Sequence, residues 1–491
     1  MSTTTTTTSK SDICLAIVLY IVQGINLGLT SSIPLFLINY GATWKDQGTF
    51  NFALYPFSLK LLWAPLVDSL YIKRLGRRKS WLVPVQLTIA VVLFSLSFYI
   101  ESLLVNNRIV LLTVAFFVIM FLTATEDICV DGLAVTLFTA TNPQWASTSQ
   151  GVGQTLGRFL GSSFLLTLES ANFTNQFIRE PLSLSPQASG LFTLEQFLRF
   201  VACIFVTVAI CVIVFVRERE ETVTDNGKQT NDPAVIETYL SILRLLRKTC
   251  VQQLALVLLL GPIAFVAITY MTPVELISQG VSRENLALIS IPITLITIVA
   301  PLTIRHTTQP LIWLARSHVS FIITAIPLAL YVYWTPHLVS SGYYYPVLIL
   351  LCGSSEFIRI LQTTAYIGFY ASVSDPRIGG TYMTFLVTIS NLGYALNSSI
   401  ILYAANWFPK KYDFIIAVGL CTVLGILWIC LSYRTLKRLQ RLPASKWHLR
   451  QRATLNHGAA SEEQSQDEHE LSCIPNNDID CIERVNGDTK N

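Results

Sequence analysis

Twelve long, mostly apolar stretches recur along this 491-residue chain, and that recurrence limits its fold more than any single motif. About 20 apolar residues cross the hydrocarbon core of a bilayer as a helix. Backbone polar groups find no water there, so each stretch must satisfy its own hydrogen bonds. The runs lie near residues 13 to 38, 48 to 71, 80 to 102, 109 to 138, 145 to 170, 195 to 217, 250 to 274, 285 to 305, 311 to 334, 345 to 371, 380 to 405 and 412 to 433. With 52% hydrophobic and only 13% charged residues, the chain has too little polar surface to wrap a soluble globule of this size. The expectation is an all-α, multi-pass membrane protein.

Charge gives the expected orientation. Basic residues gather in the even-numbered connections: Lys73 to Lys79, then Arg217, Arg219, Arg244, Arg247 and Lys248, then Arg305 and Arg316, then Arg377, and last Arg434, Lys437, Arg438 and Arg441. The positive-inside rule then places both termini in the cytoplasm. The net charge of +4 reports this topology, not nucleic-acid binding. Residues 1 to 12 read as a polar, threonine-rich cytoplasmic leader, and the run behind them is too long for the apolar region of a cleavable signal. Asn172-Phe173-Thr174, in the long opposite-side connection 171 to 194, is a glycosylation sequon. Asn397-Ser398-Ser399 fits the same pattern but falls within a predicted helix and is discounted. Ten scattered cysteines, eight of them in or beside apolar runs and none in a CxxC, read as small core residues.

The polar segment 217 to 232 divides the spans six and six. The boundaries expected are an N-terminal bundle over 13–217, a cytoplasmic linker over 218–249, a C-terminal bundle over 250–433 and a disordered tail over 434–491. The more apolar part of the linker, 233 to 248, is expected on the membrane surface. Trp63-Ala64-Pro65-Leu66-Val67 is echoed by Val299-Ala300-Pro301-Leu302-Thr303, and Leu156-Gly157 by Leu392-Gly393, both at an offset of 236 residues. One shared offset that places span 2 on span 8 and span 5 on span 11 is what two parallel six-helix repeats produce. That favours a major facilitator architecture, with a cavity expected between two bundles.

Residues 58 to 81, SLKLLWAPLVDSLYIKRLGRRKSW, hold the costliest feature. A lysine within a span should face protein or water and is functional by default, so Lys60, with Trp63 one turn on, is a candidate cavity ligand. Asp68 and the basic hairpin resemble the major-facilitator gating signature, in which an acid caps a helix, a glycine permits a turn and arginines clamp the bundle; Gly76, Arg77, Arg78 and Lys79 match its end. Asp68 stands eight residues before Gly76, a longer gap than that signature's, and plain positive-inside anchoring is the competing reading. The echo around Pro301 has no lysine or matching acid, so this chemistry belongs to one half.

The fourth span carries Glu126, Asp127 and Asp131 in TEDICVDG. Asp127 and Asp131 share a helix face, whereas Glu126 is turned about 100° from Asp127. Proton coupling, pairing with Lys60 and helix bracing all fit these acids. Arg158 in the fifth span and Lys60 are the candidate anion ligands. Glu356 and Arg359 in the tenth are spaced for an internal ion pair. Polar partners for a ligand could come from Gln23 and Asn26, Gln150 and Gln154, and Tyr382, Ser390 and Asn391, although each residue of this kind more often makes an interhelical hydrogen bond than a ligand contact. Gly24 and Gly28, and Gly153, Gly157 and Gly161, form small-residue steps that fit helix packing within one chain or in a homodimer. Pro34, Pro56 and Pro65 should kink their spans. No Walker loop, HExxH, paired CxxC or nucleophile elbow is present. The six histidines read as lying in loops, helix ends or the tail.

YIVQGINLGLTSSIPL (20 to 35), PFSLKLLWAPLVDSLYIKRLGRRKSWLVP (56 to 84), DICVDGLAVT (127 to 136), ASTSQGVGQTLGRFLG (146 to 161), LESANF (168 to 173) and VSDPRIGGTYMTFLVTISNLG (373 to 393) together resemble the acetyl-coenzyme A transporters of the endoplasmic reticulum membrane. KLLWAP and TEDICVDG are also similar to the bacterial muropeptide permeases. The resemblance implies acetyl-CoA carried from the cytosol into the endoplasmic reticulum lumen by alternating access, feeding lumenal protein acetylation, with free CoA as a candidate exchange partner and no cofactor. Lys60, Asp68, Arg77, Arg78, Asp127, Asp131, Gln154 and Asn391 lie in matching motifs and inherit roles only through it. Arg158, Glu356 and Arg359 depart from the family pattern. A permease for another organic anion or a peptide-sugar, and a non-transporting membrane enzyme or receptor, are the alternatives.

Overall fold

The computed structural model describes residues 10–72, 74–138, 144–216, 235–303, 309–373 and 379–448, and among these every regular element is helical. Among the described residues, ten helices are long and apolar enough to cross a bilayer. They are Lys10–Asn39, Lys79–Leu96, Ile109–Phe138, Leu194–Phe215, Thr249–Ser278, Arg283–Ala300, Pro310–Tyr333, Tyr344–Tyr370, Tyr382–Ala405 and Asp413–Arg441. The other two expected spans, the second and the fifth, are helical but interrupted. The second runs from Trp44 to Ser69 through two 3-10 turns, Phe52–Leu54 and Lys60–Leu62. The fifth passes from Gln144–Phe159 through a π-helical turn, Leu160–Phe164, into Leu165–Glu169. The order of twelve spans matches the hydropathy pattern. The linker at 217 to 232, Lys73, the connections carrying Arg305 and Arg377, the tail beyond 448 and the side chain of Asp68 lie outside the described residues.

Glycine spacing sets the tightest interface. The Gly24/Gly28 step of the first span meets the Gly153/Gly157/Gly161 series of the fifth backbone to backbone. A Cβ on Gly157 would overlap the Ile21 carbonyl oxygen, one on Gly28 the Arg158 carbonyl, and one on Gly161 the Ile25 carbonyl. These steps therefore close a contact within the chain. The C-terminal half repeats the arrangement: Gly393, the echo of Gly157, lies against the carbonyls of Leu258 and Leu259 in the seventh span. Fifth on first and eleventh on seventh is the pairing that the 236-residue offset predicts.

Each half has an apolar core. Leu29, Leu93, Phe116 and Phe205 are buried together in the N-terminal half, and Phe265, Phe321, Leu348 and Ala417 in the C-terminal half. The halves meet most closely at the end remote from the basic hairpin. There Arg283 of the eighth span pairs with Glu169 of the fifth at 3.1 Å and lies over the Phe36 ring. Ser163 bonds Ser290, Trp44 Nε1 donates to Asp413 Oδ2 at 2.7 Å, and Asn51 Nδ2 donates to the hydroxyls of Ser398 and Ser399 at 2.9 and 2.8 Å.

Two expectations need correction. Of the eight cysteines in or beside the apolar runs, only Cys129 and Cys421 are buried; Cys14, Cys203, Cys211 and Cys430 are exposed, and all eight are free thiols. An apolar helix surface that faces lipid accepts a weakly polar thiol as readily as a core does. His318 is not at a helix end: it sits two turns inside Pro310–Tyr333 and is fully buried. The surface segment of the linker is an ordered helix, Val235–Leu246, with one face docked on the bundles.

Candidate functional site

The break in the second span positions Lys60. Pro56 and Pro65 each remove a backbone donor, and between them the chain tightens into the Lys60–Leu62 3-10 turn. Lys60 Nζ, directed inward and only 7% exposed, donates to Asp127 Oδ2 and lies 3.9 Å from Asp131 Oδ2. Asp127 Oδ1 also accepts from Gln23 Nε2 and, at 3.2 Å, from Gln154 Nε2. Asp131 Oδ1 accepts from Tyr20 Oη at 2.8 Å and from Gln150 Nε2 at 3.0 Å. One lysine, two acids and four neutral donors from spans 1, 2, 4 and 5 thus form a connected cluster. A buried carboxylate is tolerated when it is paired and its remaining lone pairs are bonded, and here both conditions hold.

Glu126 belongs elsewhere, as its helical phase requires. It is fully buried and accepts from Gln86 Nε2 of the third span at 2.9 Å. Trp63 turns onto the fourth span, where its Nε1 donates to Thr125 Oγ1 at 3.1 Å and its ring lies 4.7 Å from that of Phe121. Both residues tie the fourth span to its neighbours.

The basic hairpin closes below this cluster. Gly76 has φ +95°, which a residue with a Cβ adopts only at a cost, so the turn depends on glycine. Lys79 caps the end of the sixth span, bonding the carbonyls of Ile213 and Val216 at 3.0 and 2.7 Å, the helix terminus where a cation is favoured. The Arg78 guanidinium lies on Gly132, immediately after Asp131, and any Cβ there would overlap it. Arg77 is partly buried in the turn.

The cleft between the halves presents different chemistry. Thr148, Gly151, Thr155, Arg158 and Ser162 form a solvent-accessible stripe on the fifth span, away from its glycine face. Among the described residues the Arg158 guanidinium makes no ion pair or hydrogen bond, although Arg359, Glu356 and Tyr270 of the opposite half lie within electrostatic reach. Arg359, by contrast, is held in a two-point fork by Glu356, its Nε at 2.8 Å from Oε2. Tyr366 and Tyr394 stand beside Arg359. Lys60 and Arg359 are therefore neutralised by partners of their own half, whereas Arg158, among the described residues, has only the longer-range attraction of Glu356 and Asp127. Asn391 is half-buried, and Tyr382 is fully buried among Phe385, Leu386 and Trp428. Asn172 is exposed on a helical turn, Ala171–Thr174, and lines an open cavity of about 440 Å3 beside Glu169 and Arg283; the sequon's Thr174 is fully buried.

Sequence reasoning missed Tyr20, although its three-residue spacing from Gln23 and Asn26 marks the same polar face of the first span. It also missed the pairs that seal the remote end. His318 is a further omission: its Nε2 faces the Gly261 carbonyl at 3.1 Å, its Nδ1 faces Gln362 Nε2 at 3.1 Å, and its ring stacks on Trp428 at 4.1 Å. The adjoining narrow cavity, about 20 Å3, has no charged lining residue. The Pro262 kink frees the Gly261 carbonyl, since Phe265 N bonds Pro262 O instead, and His318 fills that vacancy.

Two repeated six-helix halves, a charged cleft between them and a sealed remote end define a membrane transporter of the major facilitator fold. Solved structures share the architecture. A bacterial homolog of the human lysosomal transporter Spinster, inward-facing and unoccupied, superposes with a TM-score of 0.60 at 12% identity, covering 88% of this chain and 98% of that one. The inward-open xylose transporter XylE from E. coli gives 0.59 at 12%, covering 86% and 95%. The profile described as Acetyl-coenzyme A transporter 1 matches residues 12–309 and 305–413, and the chain belongs to that family. Similar chains include an uncharacterized protein of Schizosaccharomyces pombe, 30% identical over 488 residues with 91% of each chain covered. An uncharacterized membrane protein of Saccharomyces cerevisiae is 29% identical, covering 80% of this chain and 83% of its own. A Rickettsia felis protein named AmpG 4 is 24% identical, covering 77% and 88%.

Proposed function

We propose that this transporter carries acetyl-CoA from the cytosol into the lumen of the endoplasmic reticulum, in exchange for free CoA, and so supplies acetyl groups for lumenal protein acetylation. The observation that carries the reading, beside the family, is Arg158: a solvent-accessible guanidinium that, among the described residues, has no hydrogen bond or ion pair, with Arg359 and Glu356 of the opposite half within electrostatic reach. Acetyl-CoA offers a pyrophosphate and a ribose phosphate, and arginine matches phosphate oxygens with a planar two-point fork. Tyr270, Tyr366 and Tyr394 give the opposite wall aromatic surface suited to an adenine ring. The positive-inside rule puts the hairpin end in the cytosol. A cleft sealed at the other end then receives its substrate from the cytosolic side.

Transport follows by rocking of the halves around this site. Phosphate bound between Arg158 and the Arg359 side of the cleft draws the halves together at the hairpin end. The Glu169–Arg283 and Trp44–Asp413 contacts then part at the other. Purified protein in vesicles loaded with CoA and offered labelled acetyl-CoA should show saturable uptake that unlabelled CoA inhibits. A lack of saturable uptake by folded protein overturns the substrate assignment, and uptake independent of internal CoA overturns the exchange.

A further inference from the structure

The linker helix Val235–Leu246 has two unlike faces. Leu245, fully buried, and Ile242 pack with Leu61, Val251, Leu436 and Leu439 in a cluster at the hairpin end. On the opposite side Ile236, Leu240 and Leu243 are 73%, 42% and 55% exposed. These three and Arg247 recur at i, i+4, i+7 and i+11, one face of a helix. Arg244 and Arg247 are both exposed, and among the described residues neither has an acidic partner. Arg434, Lys437 and Arg441 are exposed on the extension of the twelfth span, whose Leu436 and Leu439 belong to the same cluster. An apolar ridge edged with unpaired arginines, at the end of a membrane bundle, has the composition of a helix lying in the bilayer interface. Basic groups at that depth attract anionic headgroups.

The buried side reaches the transport site. Tyr239 Oη donates to the Leu62 carbonyl. In an unbroken helix that carbonyl would accept from Leu66 N, which instead bonds Trp63 O at 3.0 Å. The linker helix thus completes the hydrogen bonding of the break in the second span, and Leu61 packs against its apolar side. The neighbouring residue is Lys60.

We propose that the exposed face of Val235–Leu246 binds anionic phospholipid of the leaflet on the hairpin side, through Arg244 and Arg247 at the headgroups and Ile236, Leu240 and Leu243 in the acyl region. The bound lipid holds the helix on Leu61 and Leu62 and keeps the break in the second span in the form that presents Lys60 to Asp127. This is independent of which solute is carried. Native mass spectrometry of the full chain, titrated with phosphatidylserine and phosphatidylcholine, reads the contact directly. Wild type should retain phosphatidylserine preferentially. Arg244→Gln/Arg247→Gln should weaken that retention roughly tenfold at an unchanged melting temperature. Leu240→Asn/Leu243→Asn should weaken both lipids and leave the preference intact. Equal retention of the two lipids by wild type overturns the proposal. So does a double arginine variant that binds phosphatidylserine as wild type does, or that instead changes the oligomeric state, which would assign the face to a second copy.

Discussion

Lys60 and Asp127, 67 residues apart in sequence, meet as a buried ion pair between the second and fourth spans. Neither is a free ligand group: the lysine is spent on the acid and the acid on the lysine, Gln23 and Gln154. The geometry favours bracing over direct substrate contact. Removing one partner of a buried pair leaves an uncompensated charge and costs about 3–5 kcal/mol, whereas replacing both with apolar residues is close to neutral. Lys60→Met and Asp127→Leu should each lower the melting temperature strongly, and the double variant should recover at least half of the loss. Additive losses in the double variant would show that the pair is not the unit of stability.

Arg158 stands at the opposite extreme, with no hydrogen bond or ion pair among the described residues. Arg158→Gln removes a charge from the cleft without stranding a partner, so folding should be unaffected. A charge-assisted hydrogen bond contributes about 1.5–3 kcal/mol, so the KM for acetyl-CoA should rise about tenfold to a hundredfold. Arg158→Lys keeps the charge but loses the fork and should fall between. An unaltered KM in a well-folded Arg158→Gln protein removes this residue from the site.

The seal remote from the hairpin offers a reversible lock. The Ser163 and Ser290 hydroxyls touch across the halves, so cysteines at those two places can be brought within disulfide reach. In a background stripped of exposed native thiols, Ser163→Cys/Ser290→Cys should lose transport on oxidation and regain it on reduction. Each single variant should be indifferent to oxidant. Undiminished uptake by the fully cross-linked protein would mean that this contact does not open during the cycle.

Length and period made the spans legible, because twenty apolar residues have few alternatives to a membrane helix. The Asp127/Asp131 face and the Glu356–Arg359 pair were legible too, since residues three and four apart on a helix must be neighbours. What one sequence does not carry is which distant helix each face meets. Glu169 and Arg283 are 114 residues apart and Trp44 and Asp413 are 369 apart, and no local period links them. The same gap left Lys60 open between ligand and brace. It also hid His318, whose partners come from the seventh, tenth and twelfth spans.

Gly157 and Gly393 test whether the two halves share one construction rule. Each is the point where a helix of the cleft wall, the fifth or the eleventh span, lies backbone to backbone on the first or seventh. A Cβ at Gly157 overlaps the Ile21 carbonyl, and one at Gly393 presses on the Leu258 carbonyl at 2.6 Å. Backbone oxygen cannot rotate aside as a side chain can, so the helices must separate, and overpacking of this kind costs about 1–3 kcal/mol or more. Gly157→Val and Gly393→Val should both lower the melting temperature in detergent. Gly151→Val, six residues before Gly157 on the solvent face with open space around it, should not. Gly157→Val has a second consequence, because displacing the fifth span moves Gln154 off Asp127 and Arg158 within the cleft: uptake should fall further than stability alone accounts for. If Gly393→Val is as harmless as Gly151→Val, the 236-residue echo marks a resemblance of sequence without a shared interface.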